Sequence, residues 1–218
     1  MSGFFISLEG IDGAGKTTLS NNLIKALKQR GHMVMACHDM KSTQHSFELY
    51  KLVSNDKHKW PALSQLFMFN AGRHDAVENT IKPALTDGWV VICDRFSDSM
   101  MAYQGYGAGL PKPLIATLDG ATVGSCRPNL TYLLDIDPAV SMQRIAARNE
   151  ELSRMELESL DFRRRVAAGF REIAANEPNR FVVIDATLTA DEVFAKAWPE
   201  LERRLPPVTP ATEAPVQS

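Results

Sequence analysis

The sequence predicts an α/β fold, a five-stranded parallel sheet with helices on both faces. Three observations carry this prediction. Five short runs (Phe4-Phe5-Ile6-Ser7-Leu8, Met33 to Cys37, Trp89 to Cys93, Leu130 to Asp135 and Arg180 to Ile184) are nearly continuous in apolar residues, as strands covered on both faces must be. Segments with apolar residues at helical spacing separate them, and regular alternation of strand and helix favours a parallel sheet. Between the first strand and the first helix, residues 10–17 read Gly-Ile-Asp-Gly-Ala-Gly-Lys-Thr and fit G-x-x-x-x-G-K-[ST], a loop built to bind phosphate.

The loop has a physical rationale. A nucleotide triphosphate sets several negative charges on closely spaced oxygens, and backbone N–H groups must converge on them unobstructed. Gly10, Gly13 and Gly15 remove the obstructing Cβ atoms and permit positive φ. The following helix, read as 18–30, aims its N-terminal amides and positive dipole end at the phosphates. Leu19, Leu23, Ile24 and Leu27 give that helix its apolar face, and Gly31 stands where a glycine ends a helix. Lys16 can reach the β- and γ-phosphates, and the Thr17 hydroxyl can ligate Mg²⁺.

The remaining elements follow in order. After the second strand, the polar stretch 38–42 is a loop over the carboxyl edge of the sheet, where ligands bind in open α/β sheets. A short helix is expected over 43–53. Pro61 opens a long helix running through Ile81, which Pro83 should kink or end. The third strand runs into Asp94-Arg95. An aspartate at such a tip, beside a phosphate loop, holds Mg²⁺, usually through water. Its alternative reading is a helix cap. Residues 97–104 read as a helical turn and Gly105, Gly107 and Gly109 as a flexible loop. A helix is expected over 112–123. Asp137-Pro138 is a cap followed by proline in the first turn. Residues 148–154 interrupt the pattern at the edge carrying the phosphate loop. Another helix is expected over 156–176, and Thr189-Ala190-Asp191-Glu192 is a capping box opening the last helix. Residues 1–205 are expected to form one domain, and 206–218, rich in Pro, Thr, Ala and Val, a disordered tail.

Composition narrows the function classes. The chain has 24 Lys and Arg against 26 Asp and Glu, interspersed, for a net charge of −2. Neither nucleic acid nor an anionic membrane is an expected partner. No secretory signal is expected, because the N-terminus lacks a basic segment and a long apolar one. No apolar run approaches the about 20 residues that a membrane span needs. Three well-separated cysteines, Cys37, Cys93 and Cys126, suit a reducing, cytoplasmic location, two of them as small apolar strand residues.

With these pieces in place, residues from about Phe4 to Leu205 resemble the thymidylate kinase family of P-loop nucleoside monophosphate kinases. The resemblance rests on Leu8-Glu9-Gly10-Ile11-Asp12-Gly13-Ala14-Gly15-Lys16-Thr17-Thr18, on Phe67-Met68-Phe69-Asn70-Ala71-Gly72-Arg73, and on Asp94-Arg95-Phe96 followed by Ser99 and Ala102-Tyr103-Gln104. Arg127-Pro128-Asn129-Leu130-Thr131 before Leu134-Asp135, and Arg148 with Arg154-Met155-Glu156, complete it. It implies phosphorylation of dTMP by ATP with Mg²⁺, a lid at about 148–155 and a homodimer packed through helices.

The resemblance also implies residue roles. Gly10, Gly13, Ala14, Gly15, Lys16, Thr17 and Thr18 would hold the ATP phosphates, with Arg148 and Ala186 also on the ATP side. Thr17 and Asp94 would serve the metal. Phe69 would stack on thymine, although in isolation a core role fits it as well. Arg73 would donate to the thymine O4, Arg95 would clamp the acceptor phosphate, and Ser99 would contact the base edge. Tyr103 would press against the 2′ position, Gln104 would hold the nucleoside, and Asp12 would accept from the 3′-hydroxyl. Because position 14 is Ala, the loop offers no arginine of its own, so Lys16, Arg95, Arg148 and Arg154 are expected to supply the catalytic positive charge. The chain departs from the family after the second strand. Many members carry Arg-Glu-Pro-Gly-Gly-Thr there; this chain has His38-Asp39-Met40-Lys41-Ser42-Thr43, with Lys41 as the substitute charge. That departure keeps a kinase of another pyrimidine deoxynucleotide as the nearest alternative. A nucleotide-dependent switch is the alternative of a different class.

Overall fold

The computed structural model of the chain describes residues 3–38, 40–55, 60–147 and 158–207. Strands β1 (Phe4–Glu9), β2 (Val34–His38), β3 (Val90–Asp94), β4 (Leu130–Asp135) and β5 (Phe181–Asp185) form one sheet in the order β2-β3-β1-β4-β5, every neighbouring pair parallel. Each strand starts and ends within one residue of its predicted span. The helices among the described residues are α1 (Lys16–Gln29), α2 (Gln44–Ser54), α3 (Ala62–Ala76), α4 (Lys82–Thr86), α5 (Ser97–Met100), α6 (Lys112–Val123), α7 (Pro138–Ala146), α8 (Leu160–Asn176) and α9 (Ala190–Arg204).

The alternation of β1 divides the core into two layers. Phe4, Ile6 and Leu8 pack with Leu23 and Leu27 of α1, Val166 and Phe170 of α8, and Ala197 and Leu201 of α9. Phe5 faces the opposite side, with Val91, Cys93, Val77, Ile81 and Val123. All three cysteines are buried thiols outside any disulfide, and Cys37 and Cys93 lie in strands. The parallel register sets His38 and Leu8 beside Asp94, so the loop after β1 and the tips of β2 and β3 share one edge.

Four local expectations need correction. Helix α1 begins at Lys16 rather than at 18, because Gly15 in the left-handed region turns the chain straight into the helix. Pro83 does not end the long helix. A π-helical stretch, Val77–Ile81, leads directly into α4, and Pro83 falls in the first turn of that segment, which runs on to Thr86. Residues 101–107 are not partly loop but a continuous π-helical segment, and Gly105 and Gly107 are buried inside it. A Cβ on Gly107 would lie 2.7 Å from Phe162 Cζ and 2.8 Å from Val166 Cγ2, so its glycine serves close helix approach rather than flexibility. Helix α8 begins at Leu160, later than expected, where the Ser159 hydroxyl accepts from the Phe162 amide at 3.2 Å.

Candidate active site

The glycine loop takes the conformation that its sequence demands. Gly10, Gly13 and Gly15 have φ of 135°, 80° and 93°. A Cβ on Gly15 would meet nothing within 4 Å, so this position opens onto free space. Gly15 also provides no side-chain cap, which leaves the first amides of α1 to a ligand. From the other side the loop is braced by α7, where the Ser141 hydroxyl donates to the Asp12 carbonyl at 2.5 Å. Ala14 is buried beneath the loop and Thr18 is exposed on the first turn of α1.

Lys16 is buried, and its ammonium donates to the Gly10 and Ile11 carbonyls at 3.1 Å each. Burial and then the Arg95 charge lower its pKa to about 8. The Thr17 hydroxyl donates to Asp94 Oδ2 at 3.1 Å. A hydroxyl and a carboxylate side by side at the mouth of the loop form an oxygen-only donor set that fits Mg²⁺. Ala186 is buried after β5; its amide donates to the Asp135 carbonyl at 2.8 Å, and its own carbonyl accepts from Arg144 Nη1 at 2.8 Å.

Beside the loop an open cleft is lined by Asp12, Phe69, Arg73, Arg95, Ser99, Tyr103 and Gln104. The seven residues to which the resemblance assigns acceptor contacts are therefore on one surface. Phe69 is half-buried there, while Arg73 is buried, its guanidinium 5.9 Å from the centre of the Phe96 ring. Arg95 is the hub. Its Nη1 donates to the Gly10 carbonyl at 2.9 Å and to Ser99 Oγ at 3.2 Å, and its Nη2 to Asp12 Oδ1 at 2.5 Å and to Tyr103 Oη at 3.1 Å. Burial pushes the Asp12 carboxyl up, but Arg95 and Lys16 outweigh it and hold the carboxyl at about 2. Tyr103 is pushed well above the usual phenol range by burial. Arg95 itself has φ 66°, the single non-glycine residue at positive φ among the described residues. An L-residue there costs roughly 1–2 kcal/mol, which the surrounding contacts must offset.

Several cleft residues were not singled out in the sequence. His38, Met40, Tyr50, Val53, Ser54 and Met100 complete the wall. Lys41, expected to replace the family's arginine, sets its ammonium 4.4 Å above the ring of Tyr50, itself a cleft residue, and His38 and Met40 line the cleft. Glu9 was also missed, although a lone acidic residue ending an apolar strand was the available signal. It is fully buried; its Oε1 accepts from the Phe96 amide at 2.8 Å and its Oε2 from the Ser99 hydroxyl at 2.5 Å. Burial, and next the nearby Asp98 carboxylate, push its pKa up to about 8. Arg144, whose Nη1 holds the Ala186 carbonyl, was likewise not singled out in the sequence. Arg148, Arg154 and Asp39, together with the lid at 148–155, lie outside the described residues.

The sequence model of the family described as thymidylate kinase matches residues 8–197. The thymidylate kinase of Deinococcus radiodurans is 40% identical over 202 residues, covering 93% of this chain and 98% of the relative. That of Caulobacter vibrioides is 40% identical over 204 residues, with the same two coverages of 93% and 98%. Among solved structures, the thymidylate kinase from Ehrlichia chaffeensis superposes with a TM-score of 0.74 at 30% identity, covering 92% of this chain and 99% of that one. Fold, glycine loop, cleft and relatives agree, and the chain belongs to the thymidylate kinase family.

Proposed function

We propose that the chain transfers the γ-phosphoryl group of ATP to dTMP, giving dTDP and ADP. The observation that carries this reading is the junction of the two sites. Arg95, at the floor of the acceptor cleft, touches both the Gly10 carbonyl at 2.9 Å and Asp12 at 2.5 Å within the phosphate loop. An acceptor phosphate held by Arg95 is thereby delivered to the loop that holds the donor.

An acceptor phosphate oxygen attacks the γ-phosphorus in line. One P–O bond forms, the bond to the β-phosphate oxygen breaks, and ADP leaves with that electron pair. The acceptor is already an anionic nucleophile, so no general base is required; positioning and charge stabilisation do the catalysis. Lys16 and the amides at the start of α1 hold the donor phosphates, and Arg95 holds the acceptor. Mg²⁺ would be held by Thr17 and Asp94 and would neutralise phosphate charge. Phe69 presents its ring to the base, Arg73 and Gln104 offer donors to the nucleoside, and Tyr103 crowds the 2′ position. Ser99, on the same wall, contacts the base edge. Arg148 and Arg154 would close over the transferring group.

Residues 1–205 are read as one kinase domain. Exposed Leu63 and Phe67, one turn apart on α3, with Phe47 and Leu52 on α2, support a helix-packed homodimer. No helix among the described residues is long and apolar enough to cross a membrane. The buried cysteine thiols, none in a disulfide, support a cytoplasmic location. Steady-state turnover with dTMP and MgATP tests the proposal, and absence of dTDP from an enzyme that binds ATP would overturn it.

A further inference from the structure

Arg95 occupies a backbone conformation that an arginine does not adopt unaided, and the structure identifies what keeps it there. Three successive residues of the strand and loop beneath it grip the turn. The Leu8 carbonyl accepts from the Arg95 amide at 3.0 Å. The Glu9 carboxyl accepts from the Phe96 amide at 2.8 Å and from the Ser99 hydroxyl at 2.5 Å. The Gly10 carbonyl accepts from Arg95 Nη1 at 2.9 Å. Of the three, only Glu9 does so through a side chain, so only this grip depends on residue identity.

The Glu9 contacts reach the guanidinium itself. The Ser99 hydroxyl, 2.5 Å from Glu9 Oε2, also accepts from Arg95 Nη1 at 3.2 Å. Glu9 therefore fixes the backbone that bears the arginine and orients one acceptor of its guanidinium. Glu9 does not line the cleft, and both of its oxygens are occupied. The neighbouring carboxylate of Asp98 is matched separately, by Arg180 at 2.7 and 2.8 Å, so the segment 95–99 is held at two points from behind. The edge-on packing of Phe5 against Phe96, with ring centres 4.9 Å apart, closes the space between them.

Resting on the acceptor role given above to Arg95, we propose that Glu9 is a positioning residue for acceptor binding, holding the Arg95 turn in its strained form through the Phe96 amide and the Ser99 hydroxyl.

The experiment compares Glu9→Ala, Glu9→Asp and Glu9→Gln with the parent enzyme, scoring KM for ATP and for the monophosphate that the parent turns over best. Glu9→Gln keeps an oxygen for the Phe96 amide and a hydrogen bond to Ser99, so its acceptor KM should stay within about threefold of the parent. Glu9→Ala, and Glu9→Asp, whose shorter side chain cannot reach both partners, should raise acceptor KM about tenfold or more with ATP KM within about twofold. A general structural role would lower the active fraction, and hence kcat, without this split. Hydrogen exchange of the ligand-free proteins gives a readout independent of any acceptor: amides 95–99 should lose protection in Glu9→Ala and Glu9→Asp while α1 keeps its own. Should Glu9→Ala fail to fold, Glu9→Asp carries both tests. The proposal is overturned if a folded Ala or Asp variant keeps the parent acceptor KM, if both KM values rise alike, if Gln is as damaging as Ala, or if protection at 95–99 is unchanged. A parent inactive on dTMP but active on another monophosphate would instead contradict the dTMP assignment alone.

Discussion

Removing the Arg95 guanidinium is the perturbation whose consequence the structure specifies best. In the ligand-free protein it is shared among the Gly10 carbonyl, Ser99, Tyr103 and the Asp12 carboxylate. An acceptor phosphate would take two charge-assisted hydrogen bonds, each contributing about 1.5–3 kcal/mol. Part of that is offset because the arginine must loosen its hold on Asp12, leaving about 3 kcal/mol net, or about 150-fold in kcat/KM for dTMP. Arg95→Ala should show this loss in a coupled assay of ADP formation, while KM for ATP changes by less than about threefold. A companion variant separates binding from strain. Arg95→Gly loses the same contacts but accepts φ 66° freely. It should unfold at higher denaturant than Arg95→Ala, by about 1 kcal/mol, with equally poor acceptor use. If Arg95→Ala keeps dTMP kcat/KM within about fivefold of the parent, or loses ATP and dTMP affinity together, the acceptor role of Arg95 is wrong.

Two further outcomes concern stability. Gly107→Ala should lower the melting temperature by about 3–10 °C through overpacking against Phe162 and Val166, and an unchanged melting curve would refute the close approach read there. Glu9 gives a pH signature. Its folded pKa of about 8 lies above the ordinary 4.5, so its contribution to stability is greatest below 4.5 and is lost as pH rises towards 8. Urea titrations of the parent and Glu9→Gln should therefore diverge in favour of Gln across that window, by at most about 1.4 kcal/mol per pH unit. A constant difference would mean that Glu9 does not titrate there.

The sheet was legible in the sequence because each strand is a near-continuous apolar run between turn residues, a pattern that burial on both faces requires of the inner strands β1, β3 and β4 and that the half-exposed edge strands β2 and β5 share. The donor loop was legible for a similar reason: glycine spacing, Lys16 and Thr17 express a local demand of phosphate chemistry. Gly107 was misread because its meaning is tertiary: a Cβ there would meet Phe162, which lies far along the chain. The π-helical stretch before Pro83 has no signature in the apolar pattern. The acceptor cleft was legible through family resemblance, not through periodicity, since Phe69 and Arg73 share a helix spacing that a core face would also use. Glu9 went unread because its role exists only in the contact between the end of β1 and the turn after β3. Charge alone points to Lys41 in the 38–43 loop, whereas the places of His38 and Met40 in the cleft lining depend on how that loop turns over the sheet edge.

The most direct test of the central claim is a single panel of initial rates with MgATP and dTMP, dUMP, dCMP, dGMP or UMP as acceptor. With Phe69, Arg73, Tyr103 and Gln104 on one cleft wall beside Arg95, dTMP should be turned over with the highest kcat/KM, followed by dUMP, with little product from dGMP or from the ribonucleotide UMP. Equal turnover of every acceptor, or ATP hydrolysis that ignores all of them, would contradict the account.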